Sequence, residues 1–303
     1  MKSAVRGIAM VLIAAALGFQ AASAAEDASK EVLTTDSLGT ISSFERIKPE
    51  KIHLQGSIGA ISADYSRGRY DGIKEDPRYW GGAVSVSIIA EILRDRPGMV
   101  SDLYLNVGIE NTFAETDLFP DSRSPKTWYE SNPNAGLVMR AGKDWQFGIT
   151  FGAFTSPNGQ FGSSREIAFT GRYQGAALFM DKLNPQVKIA VPVSDGKGVY
   201  AELSVDPGFK PFSDSRFQIN LPVVFGMGID DYYGADKSTP VYGSLGLVGS
   251  MPLKIVPSDY GAWSVKAGAF LLVRETALTK ARKPLDDADN TVIYGSVSLV
   301  FVF

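Results

Sequence analysis

From Ile52 to Phe303 apolar and polar residues alternate with a period of two. In the run Gly82–Leu93, Val84, Val86, Ile88, Ala90 and Ile92 fall on one face, and Ser85, Ser87 and Glu91 on the other. In the run Asp102–Phe113, Leu103, Leu105, Val107, Ile109 and Phe113 alternate with Asp102, Tyr104, Asn106, Glu110 and Thr112. A strand turns successive side chains to opposite faces, whereas a helix repeats every 3.6 residues, so this pattern predicts strands with one apolar and one polar face. Similar runs recur up to Ile293, Val297, Leu299, Phe301 and Phe303. With a weaker first strand over Ile52–Tyr65 the count is about twelve, and bacterial single-chain barrels have even strand numbers.

Past the N-terminus the chain has no apolar stretch of helix-spanning length. A membrane protein without one must be a closed barrel, since only closure satisfies every backbone group in lipid. The predicted fold is therefore all-β, an antiparallel transmembrane β-barrel. Connection lengths agree if both chain ends lie in the periplasm. The odd connections, such as Ser66–Arg78, Ala114–Asn132 and Thr276–Asp289, are mostly longer than even ones such as Gly142–Asp144 and Asp181–Asn184. Barrels of this kind have short periplasmic turns and longer outer loops. Trp145, Phe179, Phe217, Trp263, Phe301 and Phe303 fall near the predicted periplasmic ends of the apolar face, and Phe113, Phe169 and Trp80 near the outer ends. Such aromatic girdles mark the two interfaces. The competing fold is a soluble sandwich or lipocalin-like barrel with the apolar face turned inward. The polar face argues weakly against it, being rich in Ser, Gly, Tyr and Gln rather than charge.

The N-terminus reads as a secretory signal over residues 1–24. Lys2 and Arg6 precede an apolar run from Ile8 to Leu17, and Ala22-Ser23-Ala24 supplies the small-x-small cleavage site. Residues 25–51 read as a polar periplasmic lead-in with little structure of its own, or with a short helix near Glu45–Glu50. The barrel then covers 52–303. The chain has no cysteine, which excludes thiolate metal sites and thiol catalysis. Its 30 Lys+Arg against 33 Asp+Glu give no argument for nucleic-acid binding.

The ending Val297-Ser298-Leu299-Val300-Phe301-Val302-Phe303 resembles the terminal strand of outer-membrane barrels. That resemblance implies that Val297, Leu299, Phe301 and Phe303 are read by the barrel-assembly machinery, and that the protein resides in the outer membrane among its lipids. A looser resemblance covers about Leu183–Val273. Asn184-Pro185, Tyr200-Ala201-Glu202-Leu203, Asp206-Pro207-Gly208-Phe209 and Tyr260-Gly261-Ala262-Trp263 look like segments of bacterial proteins grouped with the TorF-type porins. It implies a barrel and at most a pore, with no catalytic residues to carry over.

Pro192, Pro222 and Pro252 lie on the inward face of predicted strands. Proline removes a ladder hydrogen bond. Pro192 and Pro252 suit strand ends, and Pro222, near mid-strand, predicts a bulge or break. His53 is the sole histidine, and a Ser-His or Asp-His hydrolase would need it as general base. It reads instead as a solvated residue at the periplasmic rim, and no enzymatic activity is expected. Asp286-Asp287-Ala288-Asp289-Asn290 is acidic but lacks the spaced ligands of an EF-hand. No cofactor is implied.

The remaining working surface is the lumen. Its expected charges are Glu91, Asp102, Glu110, Glu166 and Glu202 against Arg140, Arg172, Lys188, Lys266 and Arg274. That balance predicts no strong ion selectivity. A passive pore for small hydrophilic solutes is the leading expectation. A closed barrel serving as scaffold or partner for envelope proteins is second, and an outer-membrane enzyme a remote third. One contact is also expected: the short link at Asp195-Gly196 should bring Lys188 and Glu202 together as a lumenal pair.

Overall fold

Each alternating run pairs with the next in the chain, and the final run pairs with the first. The computed structural model describes residues 34–35, 41–43, 52–70, 80–114, 126–142, 144–159, 161–174, 183–194, 196–212, 216–234, 239–280 and 289–303. The wall is built from Ile52–Ile61 (β1), Gly81–Leu93 (β2), Val100–Phe113 (β3), Trp128–Ala141 (β4), Trp145–Phe154 (β5) and Ser164–Tyr173 (β6). It continues through Gln186–Pro192 (β7), Val199–Val205 (β8), the two-piece strand Gln218–Asn220 and Val223–Ile229 (β9), Val241–Pro252 (β10), Ala262–Arg274 (β11) and Thr291–Val302 (β12). Every neighbouring pair is antiparallel. β12 returns to β1 through rungs such as Phe301↔Gly56 and Val297↔Ala60, which closes a 12-strand barrel. Leu54 and Phe303 add a reciprocal pair of backbone bonds at the rim where both strands end, here called the near rim.

Which face points outward separates the two folds open from sequence. Asn106 is fully buried, while its neighbour Val107 is 48% exposed. Leu247, Ile88 and Phe151 are likewise exposed, and Val84 and Phe225 lie outside the packed interior on the same face. A soluble protein would invert this arrangement. An apolar outer surface around a polar interior is that of an outer-membrane barrel. Aromatic rings gather at the near rim. Trp263 meets Phe301 at 5.2 Å and Phe303 at 5.9 Å, and Trp145 meets Tyr173 at 4.9 Å. At the far rim Phe113 stacks on Trp128.

The prolines locate the irregularities. Pro192 and Pro252 end β7 and β10. Pro222 breaks β9, and the register is unchanged across the break: Asn220 pairs with Val248 before it and Val223 with Leu245 after it. The same holds next door, where Val205↔Val223 and Gly208↔Asn220 flank Pro207. Two prolines on adjacent strands thus remove rungs at one level without a slip. Gly208–Phe209 therefore continues β8 beyond Pro207. The ladder of β6 ends at Tyr173, short of the Phe179 expected from alternation, and Phe179 lies outside the described residues. So does the signal segment 1–24. The lead-in contains one short antiparallel pairing of Thr34–Thr35 with Ile41–Ser43.

Candidate functional site

The connection between β1 and β2 turns into the lumen. Tyr65–Ser66 pairs with Arg69–Tyr70, with Arg67 and Gly68 at the turn. Both turn residues have positive φ, 52° and 76°. A two-residue hairpin turn of this hand favours Asn and Gly, so Arg67 holds its place against a backbone cost. Gly68 is required: a Cβ there would lie 2.6 Å from Cγ of Tyr242.

Contacts at the tip account for that strain. Arg67 donates to both carboxylate oxygens of Glu166, one at 2.6 Å, and also to the Tyr232 hydroxyl. Its guanidinium lies 4.6 Å from the Tyr200 ring centroid and 5.4 Å from that of Phe154. A planar guanidinium suits both two-point carboxylate binding and stacking on rings. The hairpin backbone is held as well. The Tyr233 hydroxyl donates to the Arg67 carbonyl at 3.0 Å, and Arg274 donates to the Gly68 carbonyl at 3.4 Å while lying over Tyr65.

Opposite the hairpin the lumen is packed with tyrosine. The Tyr200 hydroxyl donates to Glu202, and the Tyr242 hydroxyl donates to Tyr200 at 2.5 Å while lying 3.4 Å from the same carboxylate. Tyr242 reaches across β9 because Gly226 leaves room; a Cβ there would lie 2.3 Å from its ring. Gly228 makes the same room for Tyr233. Leu278, on the short helix Thr276–Lys280 (α1) in the β11–β12 connection, is buried in this cluster together with Leu272.

All ten charges expected in the lumen lie on inward strand positions. Asp102 and Arg140 are direct rung partners, with N···O of 4.0 Å. Lys188 and Glu202 are direct rung partners too. Glu166 binds Arg67. Glu91 takes Arg94 at 3.1 Å and His53 at 3.3 Å. Glu110 pairs with Ser85 and Asn132, Lys266 with Ser250 and Ser298, and Arg172 with Gln146 and Gln186. Arg274 sits on the hairpin. His53 corrects the sequence reading: it is buried on the inward face against Glu91 rather than solvated. The acidic segment 286–290 lies mostly outside the described residues, and among the described residues no cluster of metal-ligating side chains occurs. Val297, Leu299, Phe301 and Phe303 of the terminal pattern all lie on the outward face of the closing strand or at its end.

Two cavities flank the hairpin. One, of about 340 Å³, lies toward the far rim and is lined by Arg67, Arg69, Glu130 and Glu166 among others. The second, of about 510 Å³, extends from the tip toward the near rim, with Arg172, Lys188 and Gln186 on the β6–β7 wall and Phe270, Leu272 and Tyr294 on the wall across from it. Ser66 and Arg67 line both. Sequence reasoning placed Arg67 in the outer connection Ser66–Arg78. The signal that marks it is local: a Tyr-Ser-Arg-Gly-Arg-Tyr segment is dense in aromatic and guanidinium groups for a solvated loop.

Solved structures similar to this chain share little of its sequence. Outer membrane phospholipase A from Escherichia coli is 10% identical, with a TM-score of 0.41 over 84% of this chain and 93% of that one. A FadL homologue from Pseudomonas aeruginosa is 10% identical, with a TM-score of 0.36 over 84% and 90%. OccD3 from the same organism is 10% identical, with a TM-score of 0.31 over 84% and 91%. No protein-family model matches the sequence, and no curated protein does.

Proposed function

We propose that this barrel is a passive, porin-like conduit for small hydrophilic solutes, narrowest at the hairpin Tyr65–Tyr70. The observation that carries the reading is the pair of cavities, about 340 and 510 Å³, that meet at Arg67 and have charged side chains on their walls. A lumen serving only as packing has no need of two volumes in series along its axis, each large enough for several waters. Inward Ser, Gln, Asn and charged side chains suit hydrated solutes better than lipid. The reading involves no catalytic step and no cofactor. Conductance of the purified protein in planar bilayers tests it: stepwise currents support a conduit, and a folded, inserted and silent protein refutes it.

The second reading, a closed barrel acting as an envelope scaffold, is favoured by one specific feature. Tyr200, Tyr242, Leu272 and Leu278 pack as a buried cluster against the hairpin. Silence across salts and voltages would put that reading first.

A further inference from the structure

Arg67 holds a carboxylate that belongs to the wall, and it borders the space on both sides of the hairpin. We propose that the solute of this conduit is a small carboxylate, and that it passes the hairpin by taking the place of Glu166 on Arg67. The inference rests on the conduit reading above.

The argument begins with burial. The side chains of Arg67 and Glu166 are 7% and 6% exposed. Two charges taken out of water must remain paired, so Arg67 does not release Glu166 to an empty cavity. It exchanges Glu166 readily only for another group of the same charge and shape. Glu166 shows what that shape is: a planar carboxylate, bound through both oxygens by a planar guanidinium. The aromatic rings of Tyr200, Phe154 and Tyr232 fix the guanidinium plane and favour a flat partner over a tetrahedral one.

Cations continue the path on either side. Arg69 lines the far cavity with Arg67, and Arg172 and Lys188 line the near one. An entering carboxylate therefore passes Arg69, then Arg67, then Arg172 and Lys188, the last of which faces Glu202 across its rung. Once displaced, Glu166 remains in the cavity that Arg69 lines.

The test uses the full mature protein in planar bilayers in potassium chloride, with acetate, acetamide or inorganic phosphate added to one side. Acetate should raise open probability; acetamide, its neutral counterpart, should not, and phosphate should do so less than acetate. Glu166→Gln should open without acetate, because its amide no longer holds the guanidinium. Arg67→Gln should lose the acetate response and shift the reversal potential toward that of potassium. Heat-modifiable migration checks that each variant is folded, and Arg67→Lys, which keeps the charge without the fork, carries the comparison if Arg67→Gln does not fold. Equal responses to acetate and acetamide, equal responses to acetate and phosphate, or an acetate response that survives in Arg67→Gln would overturn the inference while the conduit stands. Silence in every variant would overturn the conduit itself.

Discussion

Lys188 and Glu202 face each other on a single rung of the β7–β8 ladder, both pointing into the lumen. A short link, 193–198, turns the chain between them, and alternation on either side sets their parity. Cross-strand opposite charges contribute roughly 0.2–1 kcal/mol, and like charges directly opposite destabilise by a similar amount. Lys188→Glu should therefore lower barrel stability, and Lys188→Glu combined with Glu202→Lys should recover part of it. Urea unfolding from lipid vesicles for the two singles and the double gives the coupling. Additive effects would show that the rung carries no interaction.

Gly226 and Gly152 make a paired test of the lumenal packing. A methyl at Gly226 would strike the Tyr242 ring and lift it away from Glu202, whereas a Cβ at Gly152 meets nothing within 4 Å. Overpacking of this kind costs about 1–3 kcal/mol. Gly226→Ala should be destabilised by that amount and Gly152→Ala should be close to neutral, read from the same unfolding midpoints.

Val107 lies midway along β3 on the outward face. An arginine at the centre of the lipid-facing surface of a barrel costs roughly 2–4 kcal/mol. Val107→Arg should show that loss, while Asn106→Asp, one residue away and inward, should not perturb lipid insertion. Comparable insertion defects in both variants would contradict the assignment of faces.

Phe303 packs edge-on against Trp263 and beside Phe301, and its backbone bonds to Leu54 on the first strand. Phe303→Asp keeps the backbone bonds and removes two ring contacts, each worth about 0.5–1.5 kcal/mol. The expected result is less folded barrel in the outer-membrane fraction, with Phe303→Tyr close to the parent. Equal recovery of the aspartate variant would show that the ring has no part in closure or assembly.

Most of the wall was legible in the sequence because a strand's period of two is local and survives in every segment. That period set the inward face carrying Asp102, Arg140, Lys188 and Glu202, and hairpin length set the rung on which the last two meet. Pro222 announced an interruption, since any proline lacks the donor that a ladder needs. What alternation does not record is where a connection goes once it leaves the wall. Arg67 sits at a turn, so no periodicity points it inward. Its partner Glu166 is 99 residues away along the chain. The tyrosine packing was hidden for a related reason: it depends on Gly226 and Gly228 as absences on a facing strand. His53 was misjudged because its position near a strand end suggested water, whereas its inward parity placed it beside Glu91.

The pairing of β1 with β12 has a temporal consequence. The strand that completes the first one's hydrogen bonding is separated from it by the entire wall, so no fragment lacking Thr291–Val302 can satisfy the open edge of Ile52–Ile61. Until that last strand is in place the wall is an open sheet with two unpaired margins, each a template for pairing with another chain.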